Sequence, residues 1–75
     1  MKKVKVKVEL TIPSALKDEP IFYHMCRNFE VILNIIEASF STDNGWAYIT
    51  LEGESEAIDR VLEYLRSRRI IVDMR

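Results

Sequence analysis

The N-terminal segment alternates apolar and polar residues with a period of two. Valine, leucine or isoleucine occupies every even position from 4 to 12, and lysine, glutamate or threonine occupies the odd positions from 3 to 11. Successive side chains of a β-strand point to opposite faces of a sheet, so this pattern predicts a strand with one buried and one solvated face. It is the clearest strand signal in the sequence and predicts a core on one side of a sheet.

Two later segments carry apolar residues at helical spacing. Pro13 and the polar residues after it end the first strand, and Asp18, followed by Glu19 and Pro20, predicts the N-cap and first turn of a helix. The apolar stripe of this helix is predicted to comprise Ile21, Phe22, Met25, Cys26 and Phe29. A second helix, running to about Ser67, is predicted from the stripe Ala57, Ile58, Val61, Leu62 and Leu65.

Three further segments are predicted to be strands. In residues 31–40, VILNIIEASF, the apolar side chains change from odd to even positions after residue 35. Either both faces of this strand are covered or a β-bulge near Asn34 shifts the parity. A hairpin turn is predicted over residues 41–45, because Asn-Gly suits positive φ angles. The third strand is expected over residues 46–52, ended by Gly53, and the fourth over residues 70–74.

The order strand, helix, strand, strand, helix, strand predicts one α+β domain over residues 1–75 with a ferredoxin-like βαββαβ sandwich. Right-handed crossovers give a four-stranded antiparallel sheet in the order 4-1-3-2, with two helices on one face. The residues predicted to meet the helices are Val4, Val6, Val8, Ala47, Ile49, Leu51, Ile70 and Val72. Those predicted on the open face are Lys5, Lys7, Trp46, Tyr48, Thr50, Ile71 and Asp73.

Composition excludes several classes of function. With one cysteine and one histidine, the sequence can form neither an internal disulfide nor a structural zinc site, and we expect no metal or cofactor. His24 and Cys26 lie on different faces of the first helix, so we expect no catalytic pair and no enzyme. A net charge of −1 provides no general attraction for nucleic acid. Lysines interrupt the N-terminal apolar residues, so we expect a cytoplasmic protein without membrane insertion.

Trp46 and Tyr48 suggest single-stranded RNA binding as an alternative function. Residues 44–51, NGWAYITL, resemble the third-strand octapeptide of the RNA recognition motif, and Lys5 and Lys7 are predicted beside the two rings on the open face. The first strand offers these lysines where that family has a stacking aromatic residue. The other interpretations are that the rings pack on lysine stems across the strands, or that they are buried in a dimer.

Asn34 lies between apolar neighbours in the second strand. A buried amide requires hydrogen-bond partners, so Asn34 either caps a bulge, faces water, or contacts a ligand or a partner backbone. The second strand lies at an edge of the predicted sheet, where unpaired backbone groups are available to a second copy. A homodimer through the second strand would cover both this backbone and the apolar side chains.

Residues along nearly the whole chain resemble the NIL domain. They are Pro13, Leu16, Pro20, Ile21, Asn34, Ile35, Ile36, Ala38, Gly45, Leu51, Gly53, Ile58, Tyr64, Leu65, Ile70 and Val72. The family is named after an Asn-Ile-Leu triplet, which here reads Asn34-Ile35-Ile36. Arg69 stands where a glycine is common before the last strand.

The resemblance implies a ligand and partners as well as the ferredoxin-like fold. NIL domains occur at the C-terminus of the ATPase subunit of methionine ABC importers, accompany iron–sulfur ferredoxin domains, or stand alone. In the importers they bind methionine between subunits and slow transport. The resemblance therefore implies a regulatory homodimer that binds methionine or a related amino acid through Asn34, Ile35, Ile36 and Ala38. An ABC transporter or a ferredoxin-type protein would be its further partner.

Overall fold

The described residues form a four-stranded antiparallel sheet with two α-helices. The computed structural model describes residues 3–16, 18–41 and 43–74. Its elements are β1 (Lys3–Pro13), a 3-10 turn (Ser14–Leu16), α1 (Ile21–Asn28), β2 (Val31–Phe40), β3 (Asn44–Glu54), α2 (Ser55–Ser67) and β4 (Ile71–Met74). The strand order is β2-β3-β1-β4, which is the predicted order 4-1-3-2 counted from the other edge. The predicted α+β ferredoxin-like fold is confirmed.

The hydrophobic core lies between the sheet and the helices. The predicted helix-facing residues Val8, Ala47, Ile49, Leu51 and Ile70 are buried. Val4, Val6 and Val72 are partly buried against the same cluster. All five residues of the predicted α2 stripe are buried as well. β1 also contributes Leu10 and Ile12, because its alternation continues to the end of the strand.

Two predictions about α1 were wrong. The helix begins at Ile21 with Pro20 at the N-cap position and without a side-chain cap, so Asp18 is not the N-cap. Cys26 is exposed although it was assigned to the buried stripe. Ile21 and Met25 are the buried residues of this short helix, and each residue rotates the side chain by about 100° around the axis. Cys26 therefore projects away from the sheet.

β2 contains the bulge that its side-chain parity suggested, but two residues beyond Asn34. Ile35 pairs with Ile49 on β3, and Glu37 pairs with Tyr48, so Ile36 is the extra residue between them. An extra residue moves all later side chains to the opposite face. The bulge therefore explains why the apolar positions change from odd to even.

The two glycines allow close packing. The sequence had assigned Gly45 to the hairpin turn and Gly53 to the end of the third strand. Both lie within β3, and neither has a positive φ angle. A Cβ atom on Gly45 would overlap Cδ1 of Phe40, and one on Gly53 would lie 2.9 Å from the carbonyl oxygen of Glu30. The missing side chains therefore let the Phe40 ring and the backbone before β2 approach β3. The hairpin loop comes before Gly45 in the sequence. There the Ser41 hydroxyl donates to the Asn44 carbonyl at 3.0 Å.

Arg69 has a left-handed backbone conformation, with φ of 65°. Its amide donates to the carbonyl of Arg66 at 2.9 Å just after α2 ends. We expect Arg69→Gly to raise the free energy of unfolding by about 1 kcal/mol, because glycine removes the strain between Cβ and the carbonyl oxygen. Urea unfolding of both proteins measures this difference. The control is Arg66→Gly in the last turn of α2, which should lower stability by about 1 kcal/mol. Destabilisation by both changes would contradict the prediction.

Candidate ligand-binding surfaces

The four predicted ligand-binding residues lie on β2, at one edge of the sheet. Every side chain from Asn34 to Phe40 is exposed in the single chain. Ile35 and Ile36 expose 46% and 48% of their surface, which is unusual for two adjacent isoleucines. The structure therefore brings the predicted residues together along an open strand edge.

The register places these residues on different sides of the sheet. Asn34 pairs with Thr50 and belongs to the open face. Ile35 and Ala38 pair with β3 residues that face the helices, and Ile36 lies at the bulge. A ligand that contacts all four residues must therefore lie across the strand edge. The assignment of these residues to a ligand stays a prediction.

Carboxylates lie on both sides of Tyr48 on the open face. Tyr48 pairs with Glu9 on β1 and with Glu37 on β2. Trp46 pairs with Thr11 on the β1 side. RNA phosphates require cationic side chains near the stacked bases, and this row of the sheet places negative charge there instead.

The lysines lie further along the sheet than the sequence suggested. Lys7 pairs with Thr50 and Lys5 pairs with Glu52, which places them two and four residues along β3 from Tyr48. These steps correspond to about 7 and 13 Å. The prediction that lysines stand beside the rings is therefore wrong for Trp46, which has Thr11 opposite it, whereas Lys7 is a diagonal neighbour of Tyr48 within side-chain reach.

A pocket of about 420 Å³ lies where β1 ends, α1 begins and the β2–β3 hairpin turns, and we call it the end pocket. Its apolar walls include Ile12, Leu16, Ile21, Phe22, Tyr23 and Phe40. Glu19, Ser41 and Asn44 are among its polar residues. None of the four predicted ligand-binding residues is among those that line it. The end pocket is therefore a second candidate site.

Sequence reasoning missed the end pocket because two stretches that are distant in sequence, within residues 12–23 and 40–45, form it together. Its one sequence signal was Gly45, which was assigned to the turn but lies beneath the Phe40 ring. A glycine within a strand often marks the close approach of another group. Interpreted in this way, Gly45 would have predicted the close approach of a side chain such as Phe40.

An ion pair connects the rim of the end pocket to α2. Glu19 lines the pocket, and its carboxylate is paired with the guanidinium of Arg68 just after α2. The pKa of Tyr64 is raised, mainly by burial and further by the charge of Glu19, while Arg68 acts to lower it. The paired residues are 49 positions apart, so the fold alone brings them together.

Within residues 3–16, 18–41 and 43–74, no group of three or more His, Cys, Asp or Glu side chains could hold a metal ion. In the same part of the chain, no helix has the length and apolar character needed to cross a membrane.

The sequence profile of the NIL domain matches residues 6–74. The chain belongs to the NIL domain family. A solved structure with a similar fold is the C-terminal domain of an ABC transporter ATP-binding protein from Enterococcus faecalis, with a TM-score of 0.79 and 26% sequence identity. That likeness covers 92% of this chain and 81% of the other. The NIL fold is therefore shown by sequence and structure together.

Curated relatives include both a small protein and large importer subunits. Uncharacterized protein ssr2439 of Synechocystis sp. (strain ATCC 27184 / PCC 6803 / Kazusa) is 30% identical over 69 residues, which are 89% of this chain and 71% of that protein. The methionine import ATP-binding protein MetN of Geobacillus kaustophilus is 29% identical over 70 residues, and that of Bacillus subtilis is 27% identical over 67. The matched region is 20% of each MetN protein and 88% and 84% of this chain. The NIL domain here thus corresponds to one fifth of MetN.

Proposed function

We propose that this NIL domain is a regulatory binding module, not an enzyme, that binds methionine or a related amino acid at a homodimer interface. Family membership and similarity to two methionine import ATP-binding proteins support the ligand class. The observation that carries the proposal is the exposed edge of β2, along which Asn34, Ile35, Ile36 and Ala38 follow one another.

The chemistry of these side chains suits an amino acid with an apolar side chain. The Asn34 amide can donate to an α-carboxylate and accept from an α-ammonium group. Ile35 and Ile36 offer exposed aliphatic surface to a thioether chain. Ala38 is small and leaves space at the edge. The ligand would lie across the strand edge with its polar end at Asn34.

A second copy of β2 supplies the other wall of this site in the proposal. An exposed edge strand offers unpaired backbone groups to another strand, and Ile32, Ile35 and Ile36 are large exposed residues on it. The bulge at Ile36 interrupts the regular ladder, so we expect pairing over residues 31–35. Two-fold symmetry would then place both Asn34 side chains in one seam.

We also propose a regulated partner for the module and a place in the cell where it acts. Similarity to MetN and to the C-terminal domain of an ABC transporter ATP-binding protein supports a transporter as the regulated partner, in the cytoplasm. A ferredoxin-type protein is the alternative partner that the family implies. In either case ligand binding would change how the module contacts that partner.

Calorimetric titration with L-methionine tests the proposed ligand. We expect Asn34→Ala to weaken binding at least tenfold, because a hydrogen bond to a charged group contributes about 1.5–3 kcal/mol. Asn28→Ala removes an exposed amide at the end of α1 and should leave the affinity unchanged. Absence of heat and of a thermal shift at millimolar methionine would contradict the proposal, as would equal losses in both variants.

A further inference from the structure

We propose that the end pocket is a second ligand site, separate from the β2 edge, and that it takes a small neutral aromatic molecule. The inference goes beyond the proposed amino-acid function, since it concerns different residues and different chemistry. It rests on the rings in the pocket wall, on the balance of charge at its rim, and on its size and position.

The pocket wall contains an aromatic pair that is only partly covered. Phe22 and Phe40 pack edge to face, with ring centroids 6.2 Å apart and an angle of 75° between the planes. Gly45 lies directly against the Phe40 ring, so the ring is supported by the β3 backbone and by Phe22. Phe40 nevertheless exposes 57% of its surface, and Tyr23 exposes 59%. An aromatic ligand would cover this surface through further stacked or edge-to-face contacts.

The charge at the pocket rim favours a neutral ligand. Of the described residues that line the pocket, only Glu19 is charged, and Arg68 already pairs with its carboxylate. A charged ligand would lose its hydration without gaining a free counter-charge. The side-chain amide of Asn44 provides a polar group for one hydroxyl or amide on the ligand, while the Ser41 hydroxyl is already hydrogen-bonded to the Asn44 carbonyl. The preferred class is therefore an aromatic ring with a single neutral polar substituent.

The size and position of the pocket separate it from the β2 edge site. Its volume of about 420 Å³ lies within the range of small-molecule sites. Phe40 pairs with Gly45, whereas Asn34 pairs with Thr50, five residues further along β3. That separation corresponds to about 17 Å, so a small molecule in the pocket cannot reach Asn34, although Ala38, which pairs with Ala47, lies nearer to the pocket.

Fluorine NMR of 4-fluorobenzyl alcohol, titrated with the whole chain, tests the proposal. We expect saturable line broadening, and Phe40→Ala should weaken binding about fivefold or more. Ile71→Ala removes a similarly exposed side chain from β4 and should leave binding unchanged. Gly45→Ala keeps the Phe40 ring but displaces it, so it should also weaken binding. Circular dichroism of each variant confirms that it is folded.

Several outcomes would overturn the proposal. Cyclohexylmethanol binding as tightly as the aromatic probe would remove the aromatic preference, and tighter binding of benzylamine or benzoate would remove the preference for a neutral ligand. Equal weakening by Phe40→Ala and Ile71→Ala would place the probe elsewhere. If the probe dissociates a dimer in sedimentation, a second copy occupies the pocket. Asn34→Ala should not alter probe binding, so this result stands apart from the methionine titration.

Discussion

Replacement of Leu51 by alanine should remove a large part of the stability of this chain. Leu51 is fully buried on β3, where it pairs with Val6 on β1 and Leu33 on β2. We expect the free energy of unfolding to fall by about 3 kcal/mol, because the substitution removes buried apolar contacts and leaves a cavity. A domain of this size has roughly 4–11 kcal/mol in total.

Thermal and urea unfolding, followed by circular dichroism, measure the effect of Leu51→Ala. The matched control is Ile71→Ala on β4, since Ile71 exposes 60% of its surface and should change stability by less than about 0.5 kcal/mol. Similar losses in both variants would mean that the core does not lie between the sheet and the helices.

Introduction of a lysine at Ile36 should weaken the proposed homodimer by about 100-fold or more. Ile36 lies at the bulge of β2 and is 48% exposed in the single chain, so the folded monomer tolerates the longer side chain. In a two-fold interface each substitution appears twice, so one lysine would be placed at each end of the paired segment, within the apolar seam. Burial of an unpaired ammonium group costs several kcal/mol.

Sedimentation velocity over a range of concentrations gives the dissociation constants for this comparison. Ile71→Lys adds the same charge to an exposed isoleucine on β4, at the opposite edge of the sheet, and should leave association unchanged. A monomeric parent protein at high micromolar concentration would refute the dimer, and a dimer insensitive to Ile36→Lys would move the interface away from β2.

Much of the fold could be predicted from the sequence because its patterns are local. Alternation in β1 identified Val8 as buried, and the helical spacing in α2 identified Val61 and Leu65. The change of parity in β2 indicated the bulge, although its position near Asn34 was two residues too early. The family resemblance predicted the ligand-binding residues on the β2 edge. That role stays a prediction, which the methionine titration tests.

The errors concern features that depend on residues distant in sequence. Gly45 suits a turn by composition, but the Phe40 ring explains why it lacks a side chain. Cys26 fits the apolar pattern of α1, but the helix is too short to bury more than a narrow stripe. Lys7 is only a diagonal neighbour of Tyr48, because the strand register places Glu9 directly opposite that ring and Thr11 opposite Trp46.

The sequence by itself determined which segments are strands and helices, and in which order, because a side chain's apolar or polar character repeats with the period of its own backbone. It also determined the NIL family, and with it the unusual residue Arg69, whose positive φ the structure shows. Only the tertiary structure decided the cross-strand neighbours of Tyr48, the ion pair of Glu19 with Arg68, and the end pocket. These features depend on register and on the approach of separate segments, which packing determines after local structure has formed.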